Sequence, residues 1–136
     1  IKKLRVEGYQ FIYTELIGIP NERVLELLRE SHIVLNEFYA FVPGFFGIEA
    51  MASHCALVTS GDPHIETSLP LDAEGAWMIT KYWQVYDNLK FLLDNPEKVK
   101  LYADAGYEWT KKHWTYSVVK KKLLQIIGEN SNFYGC

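Results

Sequence analysis

The sequence predicts an α/β fold, a parallel sheet flanked by helices within one domain, and three observations carry that expectation. The runs HIVLNEF (32–38) and CALVTS (55–60) are short and apolar without polar alternation, as strands buried on both faces require. Segments with helical spacing alternate with these runs, the order that places crossover helices on a parallel sheet. In 136 residues, 49% hydrophobic and 15% aromatic content supplies one core.

Each element follows from local chemistry. IKKLRVEG (1–8) reads as the tail of a helix closed by Gly8. YQFIYTELI (9–17) mixes β-branched and aromatic residues with polar ones and is expected to be a strand. Pro20 opens a helix in which Val24, Leu27 and Leu28 recur at helical spacing behind Asn21 as N-cap. After HIVLNEF, a helix is expected over about 45–53, then the CALVTS strand. GDPHIETSLPLDAEG (61–75) has the turn residues of a long loop before a fourth strand, AWMIT (76–80). Two amphipathic helices meet at Pro96, placed at N1 behind Asn95, and a final helix is expected to stop near Gly128.

Charge and cysteine content exclude several classes. With 14 Lys and Arg against 17 Asp and Glu, the net charge of -3 gives no general attraction to nucleic acid. Cys55 lies in an apolar stretch and Cys136 is the last residue, so no disulfide framework is indicated and a reducing compartment is expected. No apolar run reaches the roughly 20 residues that span a bilayer and no signal peptide opens the chain, so the expected location is cytoplasmic. His32, His54, His64 and His113 have no metal-ligand spacing, and no acidic triplet offers a divalent ion, so no metal site is expected.

The stretch FVPGFFGIEAMA (41–52) concentrates the chemistry, with a Gly-containing loop that breaks into a helix at about Gly44 or Phe45. Unpaired first-turn N–H groups and the missing Cβ of Gly44 suit a phosphate, beyond the carboxyl end of a strand where α/β sheets bind ligands. Glu49 stands about one turn inside, where its carboxylate could accept from a sugar diol or merely complement the helix dipole. The residues alone leave both alternatives open.

HIVLNEFYAFVPGFFGIEAMASHCALVTSGD resembles the donor-binding segment of the GT-B-fold nucleotide-sugar glycosyltransferases, in particular the large retaining family. The shared features are a strand ending in a polar residue, a loop Gly at Gly44, a helix reading EAMA at Glu49 to Ala52, and a second buried strand followed by Ser60 and Gly61. The likeness extends through the paired helices at the end and covers about residues 10–128. It implies a Rossmann-like half-domain, the greater part of a carboxyl-terminal donor-binding domain, and a chain that is a piece of a two-domain enzyme whose acceptor-binding domain and diphosphate-neutralising basic pair are expected before residue 1, so that this piece alone is expected to be inactive. It implies further that Glu49 binds the donor ribose, that the backbone of Gly44, Phe45 and Phe46 approaches the donor phosphates, and that the loop of Ser60 and Gly61 borders the donor.

Two departures accompany the likeness. The acid that contacts the transferred sugar in the family falls on Phe41, and Glu37 is the expected catalytic substitute; the Gly and Pro usual in the family stand here as His54 and Ala56. The function implied is transfer of a hexosyl unit from a nucleotide diphosphate sugar, without a metal or other cofactor, to a glycan or lipid-linked acceptor. Because the first acid is missing, a non-catalytic nucleotide-sugar-binding module or subunit working with a partner chain is the second reading, and an interaction scaffold the third. His64 and Glu66, in the long loop after Gly61, are read as solvated loop residues, with a position facing a substrate cleft as the alternative. Lys111, Lys112 and Lys120 to Lys122, with Trp109 and Trp114, are read as a basic and aromatic helix face, with peripheral contact to an anionic membrane as the alternative.

Overall fold

The computed structural model describes residues 1–131, with side chains to residue 128. Three parallel strands in the order β1-β2-β3 form the sheet: β1 (Ile33–Leu35), β2 (Ala56–Thr59) and β3 (Met78–Ile79). Val34 pairs with Leu57 and Thr59 with Ile79, so the carboxyl ends of all three strands share one edge. The central strand β2 is buried at every position, which is why its sequence shows no polar alternation.

Helices surround this sheet. Helix α1 (Lys2–Val6) and helix α2 (Asn21–Arg29) precede β1, and α3 (Gly44–Ala52) connects β1 to β2. After β3 come α4 (Val85–Asp94), α5 (Pro96–His113) and α6 (Tyr116–Ser131). Helix α5 packs on β2 and α3, with its buried Ala103, Gly106, Trp109 and Thr110 on one face. A Cβ at Gly106 would meet the Ala76 carbonyl oxygen at 2.8 Å and Met51 Cγ at 2.9 Å, so the glycine sets how closely α5 approaches. The core joins Leu28, Val34, Met51, Leu57 and Trp77 to Trp109. Cys55 is a buried free thiol whose pKa burial raises to about 11, and it donates weakly to the Leu28 carbonyl at 3.1 Å.

Helix α1 ends as its sequence predicts: Gly8 adopts φ +95°, and Leu4 is fully buried. Lys90 reaches Glu7 at 2.7 Å and Tyr9 donates to Asp94 at 2.7 Å, which ties α1 and the following residues to α4.

Four expectations are corrected. Residues 9–17 form no strand; they run irregularly, with Ile12 97% and Ile17 78% exposed. A groove of about 1230 Å³ is lined by Tyr13 and Leu16 of this segment and by Ile33 and Leu35 of β1, together with residues of α2, α4 and α5. Without a ladder to satisfy its backbone, β-branched composition does not make a strand, because such propensity measures fit to a sheet surface. Helix α2 starts at Asn21 itself, with Pro20 in the cap position and no side-chain cap. Helix α6 continues through Gly128 to Ser131, since one glycine lowers helix stability by only about 1 kcal/mol relative to alanine. Trp109 leaves the proposed basic face entirely: it is 4% exposed and meets Trp77 edge to face at 5.2 Å. Cys136 lies outside the described residues.

Asp72, in a short 3-10 turn (Leu71–Ala73), anchors the end of α5. Lys112 bonds to one carboxylate oxygen, and His113 Nε2 lies 2.9 Å from the other. These bonds, Lys112's foremost, hold the Asp72 carboxyl at about 2, below its ordinary range. A depressed carboxyl contributes stability that is complete above its unfolded value near 3.8 and is lost as pH falls through about 2. The side chain is 39% exposed, so solvent screening keeps the contribution below about 1 kcal/mol. Asp72→Asn is expected to lower stability at pH 7 by less than that and to flatten the acid limb between about pH 4 and 2, measured by urea unfolding across pH.

Candidate functional site

Two loops leave the carboxyl edge of the sheet side by side. The first, residues 36–43, runs from β1 to α3; the second follows β2 through Ser60, Gly61 and Asp62. Glu37 turns the first loop with φ +53°, a left-handed conformation uncommon outside glycine. Its carbonyl accepts from Thr59 Oγ1 at 3.0 Å, Ser60 Oγ at 2.9 Å and the Ser60 N–H at 3.0 Å. The Thr59 hydroxyl and the Ser60 N–H, with the Ser60 hydroxyl shared with a neighbouring carbonyl, hold a residue that local sterics disfavour.

Further bonds lock the loops together. The Ser60 hydroxyl also contacts the Ala40 carbonyl, the Asp62 N–H donates to the Phe41 carbonyl at 3.1 Å, and Asn36 Nδ2 donates to the Pro43 carbonyl at 2.8 Å. A Cβ at Gly61 would lie 3.2 Å from the Pro43 nitrogen and 3.3 Å from the Val42 carbonyl carbon. Gly61 therefore lets one backbone rest on the other. Its carbonyl accepts from Trp77 Nε1 at 2.8 Å in the core.

The clamped loop delivers Gly44 to the start of α3 with φ +64°. No side chain caps this helix, and among the described residues the N–H groups of Gly44, Phe45 and Phe46 find no partner outside it. First-turn N–H groups have none inside either, so they face outward as an electropositive cluster. A Cβ at Gly44 would meet nothing within 4 Å, so the glycine answers to backbone conformation and not to protein packing. Gly44→Ala is expected to cost about 1–2 kcal/mol of folding stability from the left-handed conformation alone, read from the urea midpoint.

The other expected residues take distinct places. Glu49 lies in the second turn of α3, half-buried, and among the described residues its carboxylate has no hydrogen-bond or ion-pair partner. Phe45 is 81% exposed and meets Trp114 edge to face at 6.4 Å, while Phe46 packs against the core. Phe41 is 52% exposed. Glu37, Gly44, Ser60 and Gly61 are thus gathered into one clamped pair of loops, but the Ser60 hydroxyl and the Gly61 carbonyl are occupied by protein partners.

His54 closes α3 at φ +61° and stacks on Tyr107 at 3.8 Å, with Asp104 4.0 Å away. It occupies a left-handed position where a glycine would be unstrained, which fits its reading as a helix-terminal residue. His64 is exposed and 3.8 Å from Glu74, and Glu66 accepts from the Ser68 N–H at 3.0 Å within its own turn.

Sequence reasoning missed the ion pair between Lys81, just after β3, and Asp62, at 3.3 Å with side chains 27% and 15% exposed. It also missed the Asn36 clamp. The ion pair joins loops that meet only once strand order is known, and the acid beside Gly61 was its one local signal; the clamp spans seven residues of a single loop, from Asn36 to Pro43. Among the described residues no group of three or more His, Cys, Asp or Glu is arranged to hold a metal, and no helix is long and apolar enough to cross a membrane.

Comparison with curated proteins and with solved structures gives no match. A family model described as glycosyl transferase-like matches residues 6–125, nearly the whole chain and all three strands. With that extent of match on a parallel α/β sheet, the chain belongs to the glycosyl transferase-like family.

Proposed function

We propose that this chain is the donor-binding, carboxyl-terminal half of a GT-B-type retaining glycosyltransferase, moving a hexosyl unit from a nucleotide diphosphate sugar to a glycan or lipid-linked acceptor. Membership in the glycosyl transferase-like family supplies the reaction at its general level, glycosyl transfer. The observation that supports the finer reading is the pairing of an uncapped helix N-terminus at Gly44 with an unpartnered carboxylate at Glu49, both on α3.

In this reading the diphosphate rests on the amides of Gly44, Phe45 and Phe46, and the ribose diol donates to Glu49. As the glycosidic bond breaks, negative charge grows on the departing diphosphate, and oriented amides stabilise it more than they stabilise the ground state. The left-handed turn at Gly44 and the Asn36–Pro43 bond fix these donors before the ligand arrives, so little reorganisation is required. Glu37, exposed at the turn of the same loop, is the acid nearest in sequence to the Phe41 position and is assigned the contact to the transferred sugar.

Calorimetric titration of the full-length protein with UDP, GDP and ADP, each with and without EDTA, tests the proposal. One of the three is expected to bind with the same affinity in both conditions, because helix amides and not a cation receive the phosphates. Strict dependence on magnesium would show that a metal neutralises them, and absence of binding for all three would remove the donor-site assignment.

A further inference from the structure

We propose that Tyr39, Tyr82 and Trp83 form a platform on which the pyranose rings of a glycan stack, a contact on the donor-binding half that adds to the acceptor-binding domain expected before it. The three side chains are 83%, 56% and 66% exposed, yet they are gathered. Tyr39 and Tyr82 stack with ring centroids 5.6 Å apart at 23°, and Tyr82 meets Trp83 edge to face at 4.9 Å and 89°. Their origins are separate: Tyr39 comes from the loop after β1, whereas Tyr82 and Trp83 follow β3. Since β2 lies between those strands, the rings meet across its carboxyl end, beside the clamped loops.

The platform is held from both sides. Tyr39 sits between the Glu37 and Ala40 carbonyls, which share the single proton of the Ser60 hydroxyl, and the Ser60 N–H and Thr59 hydroxyl also donate to the Glu37 carbonyl. Tyr82 and Trp83 lie in a 3-10 turn closed by Lys81 N–H to Gln84 Oε1 at 2.9 Å and Gln84 N–H to the Lys81 carbonyl at 2.8 Å. Lys81 is tied in turn to Asp62. Rings positioned in this way lose little freedom when a ligand arrives.

Ligand class follows from the surroundings. A pyranose has a C–H face that packs on an aromatic ring and a hydroxyl edge that needs donors and acceptors. Here Lys81, Asp62, Gln84 and the exposed Glu37 flank the rings and offer both. A protein interface core is depleted of charge, and an anionic lipid surface calls for clustered cations, whereas this rim holds two acids and one lysine. A planar base would cover one ring, while the right-angled Tyr82–Trp83 pair presents a cornered surface that successive, tilted sugar rings can follow. The choice of a glycan rests on the glycosyl-transfer reading, and the test separates the two.

The full chain is titrated with cellohexaose, mannohexaose and chitohexaose by calorimetry and by tryptophan fluorescence. At least one is expected to bind. Tyr39→Ala and Tyr82→Ala should each weaken that binding by about tenfold, as loss of an aromatic contact does, while Tyr39→Phe retains it and nucleoside diphosphate affinity stays within about twofold. Exposure of the substituted rings leaves the melting temperature within a few degrees. The proposal is overturned if none of the three hexaoses binds, if the alanine variants bind as tightly as the parent, or if they lose nucleotide affinity instead, which would give the rings to the base. Failure of nucleotide binding in the parent chain, with glycan binding intact, would sink the donor reading and leave the platform standing.

Discussion

Trp77→Ala is expected to destabilise the protein by about 3–5 kcal/mol, the range for removing a large aromatic from a packed core. Trp77 is 1% exposed, contacts Trp109 edge to face, and donates from Nε1 to the Gly61 carbonyl at 2.8 Å. Alanine removes the ring, opens a cavity between α5 and β2, and leaves the Gly61 oxygen unsatisfied. Trp77→Phe separates these effects. It retains most of the apolar volume but lacks the donor, so it should cost about 1–3 kcal/mol, the penalty for stranding a buried acceptor. Because Gly61 rests on Val42 and Pro43, losing its anchor should also disturb the loop that delivers Gly44. Urea unfolding measures the first effect, and nucleotide affinity of the phenylalanine variant measures the second. A Trp77→Ala variant less than about 1 kcal/mol below the parent would show that this residue does not organise the core as its burial implies.

The elements that carry the site were legible because burial and chain geometry leave local marks. The strand β2 is buried on both faces and so reads CALVTS without alternation; α3 reads from GFFGIEAMA because a glycine must turn into it and small residues must pack. The need for glycine at position 44 was visible as an absent Cβ, although its cause, φ +64° in open space, needed the fold. Residues 9–17 misled because their composition suits a sheet surface that β1 does not extend to them. Trp109 misled for a different reason: Lys111 and Lys112 stand beside it in sequence, but helical geometry turns it with Ala103 and Gly106 toward the core. The Asp62–Lys81 pair and the Tyr39–Tyr82 stack were invisible, since each depends on which strand ends are neighbours.

Glu49→Gln is expected to weaken nucleoside diphosphate binding by about 1.5–3 kcal/mol, the scale of hydrogen bonds to a charged group and roughly ten- to a hundredfold in Kd. Glutamine keeps the shape of the side chain and one acceptor oxygen but removes the charge that a ribose diol would meet. The structure narrows the competing explanation. Charge–dipole stabilisation fades beyond the first turn of a helix, and Glu49 lies in the second turn of α3, so dipole complementarity alone predicts a stability loss well under about 1 kcal/mol with affinity unchanged. Its carboxylate has no protein partner among the described residues, which removes a lost ion pair as a cause of any effect. Phe41→Glu completes the comparison. Phe41 is 52% exposed and contributes its backbone carbonyl to the loop clamp, a bond the substitution preserves. If Glu37 already contacts the transferred sugar, restoring an acid at position 41 of the full-length protein should change neither nucleotide affinity nor turnover by more than about twofold. A large gain in turnover would instead show that the parent lacks its sugar-contacting acid and acts as a binding module. Affinity and melting temperature measured together for both variants decide the matter: unchanged affinity in Glu49→Gln would return α3 to the status of a structural helix with an idle carboxylate.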